Sequence, residues 1–235
     1  MSRRVSVDEE HSWSLSPQQA VEIQEQLALR VRQQPLGSAI QLVAGADCCY
    51  SKDGADCAAA IVLWDLEREA VVETETSLAE VHFSYIPGLF AFREAPAIIR
   101  VLERLSVEPQ LLICNGHGIA HPRRFGIASH VGVLTGIPTI GCAKRRLCGT
   151  FVEPDSGRGS RSPLIDRNEI IGTVLRTRTS ARPVFVSVGH LIDLSTAERV
   201  ILDCTLHSRV PEPLRLAHRT AAEALRCELG DSLHP

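Results

Sequence analysis

The order of apolar runs in this sequence predicts an α/β fold. It is a mixed sheet, an antiparallel meander followed by parallel strands, flanked by helices and contained in one domain spanning residues 1–235. Three observations predict it. Three strand-like runs stand in succession between residues 40 and 76, joined only by short polar turns. Helical and strand-like patterns then alternate from residue 92 to residue 142, which favours parallel pairing. A hairpin pattern and two helical patterns complete the chain, with no internal repeat or long linker.

Each element has a local reason. Residues 1–15 are expected to be flexible, as is the tail 228–235. Ser16-Pro17 opens a helix in which Ala20, Ile23, Leu27 and Val31 recur at spacings of three and four, and Ser16 suits the N-cap. Pro35-Leu36-Gly37 ends it. The run from Ile40 into Asp47 reads as a buried strand, and Cys57 to Leu66 as a second. Ala70 to Thr76 alternates in polarity and reads as a third, more exposed strand. Phe92 to Leu105 carries Ala95, Ile98, Ile99, Leu102 and Leu105 at helical spacing. Gln110 to Cys114 is a short buried strand, Gly126 to Leu134 a helix of small apolar residues, and Pro138 to Cys142 another buried strand. Residues 153–167, rich in Gly, Ser, Pro and charge, are expected to form a surface loop. Ile170 to Arg178 and Pro183 to Val188 read as a hairpin with Arg176, Arg178 and Arg182 around its turn. Ser195 to Leu206 is a helix with Ser195 as cap and Glu198 placed for a capping box. Glu212 to Leu229 is the last helix, with Pro213 in its first turn. Three meander strands, then αβαβ and a closing helix, is the order of the ribonuclease H-like fold.

Composition narrows the function. The 235 residues suffice for a real core, and an apolar content of 44% excludes intrinsic disorder. No apolar run approaches the roughly 18 residues that span a bilayer. The Met-Ser-Arg-Arg start lacks an apolar signal core, so a cytoplasmic protein is expected. A net charge of −3 excludes a uniformly basic coat but not a local basic groove. The eight cysteines include no C-x-x-C pair and mostly sit inside apolar runs, so they read as buried thiols. No heptad seam is present, and a monomer is expected.

Chemistry concentrates in a few places. Asp47 ends an apolar run, where an unpaired carboxylate is costly. Glu94 opens the second helix. Leu111 to His130 leaves a buried strand, breaks at Gly116 and Gly118, and presents His121, Arg123 and Arg124. A strand C-terminus running into a Gly-rich loop is where α/β sheets bind ligands. His117 and His121 lie four apart, but the glycines and Pro122 argue against a helix that would pair them on zinc. Lys144, Arg145 and Arg146 follow the next strand and, with Arg93, Arg123 and Arg124, can neutralise phosphates. Ser84-Tyr85-Ile86-Pro87-Gly88 is a stiff apolar loop with one aromatic, suited to wedge between bases.

Together these segments resemble the endonuclease V family, the deoxyinosine 3′-endonucleases. The matching runs include Ala44-Gly-Ala-Asp47, Tyr85-Ile-Pro-Gly-Leu89, Phe92-Arg-Glu-Ala-Pro96, Gly116-His-Gly-Ile-Ala-His-Pro-Arg-Arg124, Gly126-Ile-Ala-Ser-His130, Ile137-Pro-Thr-Ile-Gly141, Ala143-Lys144, Ser187-Val-Gly-His190 and Pro211-Glu-Pro-Leu-Arg-Leu-Ala-His218. The resemblance covers residues 18–220 and implies a ribonuclease H-like fold. It also implies Mg²⁺-dependent hydrolysis, with Mn²⁺ able to substitute, of the second phosphodiester bond 3′ of a deaminated purine in DNA. Single-stranded DNA and RNA inosine are further expected partners. Carried over by position, Asp47 and Glu94 match metal carboxylates, and Asn115 occupies the third such place. His121 and Lys144 match residues near the scissile phosphate, and His218 a further residue of the site. Tyr85, Ile86 and Pro87 match the strand-separating wedge. Gly116, Gly118 and Leu147 match the pocket for the flipped base. Apart from the resemblance, Arg93, Arg123, Arg124 and Arg145 are expected phosphate contacts by their charge and placement.

One departure bears on activity. The family has Asp before Gly-His-Gly, and this chain has Asn115. Asn offers a neutral carbonyl but no negative charge. The resemblance therefore implies weakened Mg²⁺ binding and a chain deficient in cleavage that keeps base recognition. The alternatives are a non-catalytic inosine-binding protein of the same fold and a Cys/His hydrolase built on one of the thiols.

Overall fold

The computed structural model describes residues 11–37 and 39–228. The elements run α1 (Pro17–Ala28), β1 (Leu42–Tyr50), β2 (Asp56–Asp65), β3 (Ala70–Glu80), α2 (Ala91–Leu102), β4 (Leu111–Cys114), α3 (Ile127–Thr135), β5 (Thr139–Ala143), β6 (Arg161–Asp166), β7 (Glu169–Leu175), β8 (Val184–His190), α4 (Leu194–Asp203) and α5 (Glu212–Glu228). All the strands form one sheet in the order β3-β2-β1-β4-β5-β8-β7-β6. The meander is antiparallel, and β1, β4 and β5 are parallel neighbours, as the run order predicts. The sheet then turns antiparallel again through β8, β7 and β6.

Both faces of the central strands are covered, which explains their near-continuous apolar sequence. Ala44 and Ala46 of β1 and Leu112 of β4 pack with Ile98 of α2, Val131 of α3 and Leu27 of α1. Val43 of β1 and Leu111 and Ile113 of β4 face the other way, onto Val200 and Ile201 of α4 and Leu214 of α5. This alternation sends Gly45 and Asp47 toward α5. The tightness at Gly45 is extreme: a Cβ there would lie 2.3 Å from the Pro213 carbonyl carbon.

Three expectations need correction. Residues 161–166 are not loop but the edge strand β6, paired with β7. Leu164 is the fully buried residue of that strand, so it lacks the apolar pattern that marks its neighbours. Helix α4 is capped by Asp193, whose carboxylate accepts from the Thr196 N–H at 2.8 Å, rather than by Ser195. Glu198 belongs to no capping box: it accepts from the Thr173 hydroxyl and pairs with Arg161 at 2.9 Å, tying α4 to the sheet. Residues 11–15 are not loose. Trp13 packs on Phe92 and His130, with ring centroids 6.1 and 5.2 Å away, and His11 shares a 2.8 Å hydrogen bond with His130. The rest of the expected flexible segments, 1–10 and 229–235, lies outside the described residues. Among the described residues no helix is long and apolar enough to cross a membrane.

Ser16 caps α1 as its sequence predicts, with a full capping box to Gln19. Arg176 lies buried rather than at a turn surface, donating to the carbonyls of Pro154 and Asp155 and pairing with Glu153 at 2.8 Å.

Candidate active site

The site forms where the C-terminal ends of β1, β4 and β5 meet α2 and α5. Asp47 is almost fully buried, with 2% exposure. Its Oδ1 accepts from the Cys48 N–H at 2.8 Å and from Asn115 Nδ2 at 2.8 Å. Its Oδ2 lies 2.9 Å from Nδ1 of His218 on α5. Burial pushes the Asp47 carboxyl above its ordinary value, while those partners and the charge of Lys144 pull it back.

Asn115 reaches Asp47 through backbone pairing. It follows β4 directly, and its N–H donates to the Ala46 carbonyl at 3.1 Å, extending the β1–β4 ladder by one residue. Glu94, in the first turn of α2, is also buried, and it accepts from the Tyr50 hydroxyl at 3.0 Å. Arg93 stacks over the Tyr50 ring, 4.7 Å from its centroid. Burial, and then the charge of Asp47, hold the Glu94 carboxyl well above its ordinary value. Two desolvated carboxylates, with the charge of Asp47 raising the proton affinity of Glu94, suit a divalent cation with hard oxygen ligands. With Asn115 as neighbour the donor set is one charge short. Among the described residues no group of three His, Cys, Asp or Glu side chains is placed to hold a metal.

A cavity of about 430 Å³ opens beside these groups, within the usual range for ligand pockets. It brings together Asn115, Gly116, His121, Lys144, Arg145 and Leu147 with Tyr85 and Pro87 of the apolar loop. Tyr85 is 67% exposed at its rim. Ile86 instead turns inward against Phe83, Leu89 and Phe92. Gly118 stands outside the cavity wall, where a Cβ would meet the Val188 carbonyl at 1.9 Å. It lets the β4 loop pack directly on the β8 backbone, and its N–H donates to the Ser187 hydroxyl at 2.9 Å.

The histidines diverge. His117 Nε2 bonds the Arg145 carbonyl at 3.1 Å, and His121 Nε2 bonds the Gly88 carbonyl at 3.0 Å. Burial lowers both to about 4, so both are neutral near pH 7 and point at carbonyls rather than at a shared metal. Cys49 Sγ lies 3.7 Å from His218 Nδ1, the nitrogen that faces Asp47. Burial pushes this thiol up to about 11, which makes it a poor nucleophile. Three of the four arginines expected to contact phosphate are already engaged. Arg124 pairs with Asp166 at 2.9 Å and Glu169 at 3.0 Å, and Arg123 bonds Gln24 and the Gly88 carbonyl. Arg93 donates to the Phe83 carbonyl at 3.2 Å.

Sequence reasoning missed Gln24, Tyr50, Phe90 and Ile127. Gln24, Phe90 and Ile127 line the cavity, and Tyr50 bonds Glu94. Gln24 had a signal: it is a polar residue on the buried stripe of α1, between Ala20 and Leu27. Tyr50 had none, because only the β1 register brings it to α2.

Comparison with known proteins identifies the family. Residues 24–219 match the family model described as Endonuclease V. An endonuclease V of Methanothrix thermoacetophila is 52% identical over 208 residues, covering 88% of this chain and 92% of the relative. The crystal structure of the Streptomyces avermitilis endonuclease V superposes with a TM-score of 0.88 at 39% identity, covering 97% of this chain and 100% of that one. A Ciona intestinalis endonuclease V was crystallised with a 24mer DNA containing an inosine followed by a ribo-adenosine. It superposes with a TM-score of 0.78 at 26% identity, covering 89% of this chain and 98% of that one. The match spans most of the chain and both carboxylate-bearing elements, and the chain belongs to the endonuclease V family.

Proposed function

We propose that this chain, folded as one domain, recognises deoxyinosine in DNA by taking the base into the cavity, and that Asn115 holds its hydrolytic activity far below that of an Asp-bearing relative. The observation that carries the reading is the direct link between cavity and carboxylates: Asn115 lines the one and hydrogen-bonds the other. The inosine-containing DNA bound by the Ciona relative supports the substrate class.

The residues divide the work. Tyr85 and Pro87 separate the strands at the rim. A mispaired inosine leaves the stack more cheaply than a paired base, so extrusion itself contributes selectivity. Gly116 and Leu147 wall the pocket. Lys144, with Arg145 beside it, neutralises phosphate charge as the strand passes. Asp47, Glu94 and the Asn115 carbonyl would hold Mg²⁺, or Mn²⁺ in its place. The bound cation would supply water activation and stabilise the leaving oxygen at the second phosphodiester bond 3′ of the lesion. His218 orients Asp47. His121, with both ring nitrogens bonded, positions backbone rather than moving protons. The cellular role consistent with this chemistry is repair of deaminated purines in the cytoplasm by a monomer, on single-stranded as well as duplex DNA and on RNA inosine.

The second reading is a binding protein without turnover. It is favoured by the Asn115 amide, which donates to the Asp47 oxygen that a cation would use. The test common to both is binding to fluorescein-labelled duplexes that differ by one deoxyinosine for deoxyadenosine. Preference for inosine of tenfold or more is expected, and equal affinity sinks the proposal.

A further inference from the structure

The wedge loop is held from behind by a residue outside every motif. The Gly88 carbonyl accepts hydrogen bonds from Gln24 Nε2 at 3.0 Å, His121 Nε2 at 3.0 Å and Arg123 Nη2 at 2.8 Å. A carbonyl oxygen has two lone pairs, so three donors make this an unusually concentrated anchor. Gln24 is fully buried, at 0% exposure. Its Nε2 donates also to the Phe125 carbonyl at 3.1 Å, and its Oε1 accepts from Arg123 Nε at 2.7 Å. All these partners lie outside its own helix, in the loop 83–90 and the loop after β4.

A buried amide is costly unless its hydrogen bonds are made. On the apolar stripe of α1 a Leu or Met would pack without that requirement. The polar choice therefore serves the partners. His121 completes the lock: its Nδ1 accepts from the Arg123 N–H at 3.1 Å, which leaves Nε2 as the protonated nitrogen that donates to Gly88. Gly88 is the fixed end of a loop whose tip, Tyr85, stands mostly in solvent. Anchoring the loop beforehand removes an ordering cost that duplex opening would otherwise carry.

We propose that Gln24 is a positioning residue, which clamps the Gly88 carbonyl together with Arg123 and His121 and so presets the Tyr85–Pro87 wedge for strand separation. The inference rests on the reading of that loop as the wedge. It also reassigns Arg123 from phosphate contact to loop support, because its guanidinium faces Gln24 and Gly88.

Single-stranded DNA needs no strand separation, and this sets the test. Binding of a labelled single strand and of a labelled duplex, each with one deoxyinosine, is measured for the unaltered protein, Gln24→Met and Gln24→Glu. Met removes every bond at nearly equal volume. Glu keeps the acceptor for Arg123 and deletes the donor to Gly88. Both variants are expected to lose at least fivefold more affinity for the duplex than for the single strand. A partly unfolded variant loses the same active fraction on both probes and cannot imitate that ratio. An unchanged ratio in both variants, with inosine preference intact in the unaltered protein, overturns the clamp and leaves the functional reading standing. Absence of inosine preference in the unaltered protein overturns both.

Discussion

Replacing Asn115 by Asp exchanges a hydrogen bond for a repulsion. The amide nitrogen of Asn115 lies 2.8 Å from Asp47 Oδ1. Two full charges at that separation repel by about 6 kcal/mol at an effective dielectric constant of about 20. Proton sharing and side-chain rotation relieve most of this, and a remainder of about 2 kcal/mol lowers Tm by about 4–8 °C at this chain length. Asn115→Asp is therefore expected to melt below the unaltered chain in metal-free buffer. Mg²⁺ should reverse the order, since saturation at about 100 times Kd adds about 2.7 kcal/mol to the form that binds it. Cleavage of an inosine oligonucleotide should rise about 10²–10³-fold, the usual effect of one well-placed electrostatic group. The assays are thermal melts with and without Mg²⁺ and a denaturing gel of cleaved product. Mass spectrometry of the peptide containing Asn115-Gly116 guards against deamidation, to which that dipeptide is prone. Equal Mg²⁺ response and equal cleavage in the two proteins would refute the role assigned to this position.

Three other outcomes follow from the same geometry. The Glu94 carboxyl is held well above its unfolded value of 4.5, so the stability it contributes is present at low pH and is lost as pH rises from about that value through its folded pKa. Glu94→Gln, which keeps an acceptor for Tyr50, should gain on the unaltered protein in urea midpoint between pH 5 and pH 8; a constant difference contradicts the shift. Gly45→Ala drives a Cβ to 2.3 Å from the Pro213 backbone, so a loss of about 3 kcal/mol or more is expected in denaturant melts, and a neutral effect would show that α5 yields freely. Lys144→Ala should reduce the slope of log affinity against log salt by about one unit. Arg124→Ala should leave the slope unchanged, because Arg124 is already paired with Asp166 and Glu169. Equal slope changes in both would show that Arg124 does reach phosphate.

Local pattern carried the meander, the two helix–strand units and the closing helix, because each buries a continuous apolar face whose period is written in the chain. The edge strand β6 escaped, since a strand with one buried residue has no period to read. Capping at α4 escaped for a related reason: Asp193 and Ser195 both suit an N-cap, and the fold uses Asp193 while Glu198 is bonded to Thr173 and Arg161 instead of closing a capping box.

The same division holds at the site. Asp47, Glu94, Asn115 and Lys144 were legible from the sequence as chemistry-bearing residues, because a carboxylate at the end of an apolar run and a glycine break after a strand are local facts. Their contacts were not, although the resemblance had already placed His218 in the site. His218 meets Asp47 only because α5 packs across β1 at Gly45. Gln24 reaches the wedge loop only because α1 lies behind it. Arg123 and Arg124 read as free cations in the sequence, and tertiary contacts commit both. The sequence by itself pointed to the groups able to do chemistry, and the family resemblance showed that one expected carboxylate is an amide. Tertiary structure alone decided which of those groups share a desolvated environment, and proton affinity, metal preference and loop rigidity all depend on that sharing.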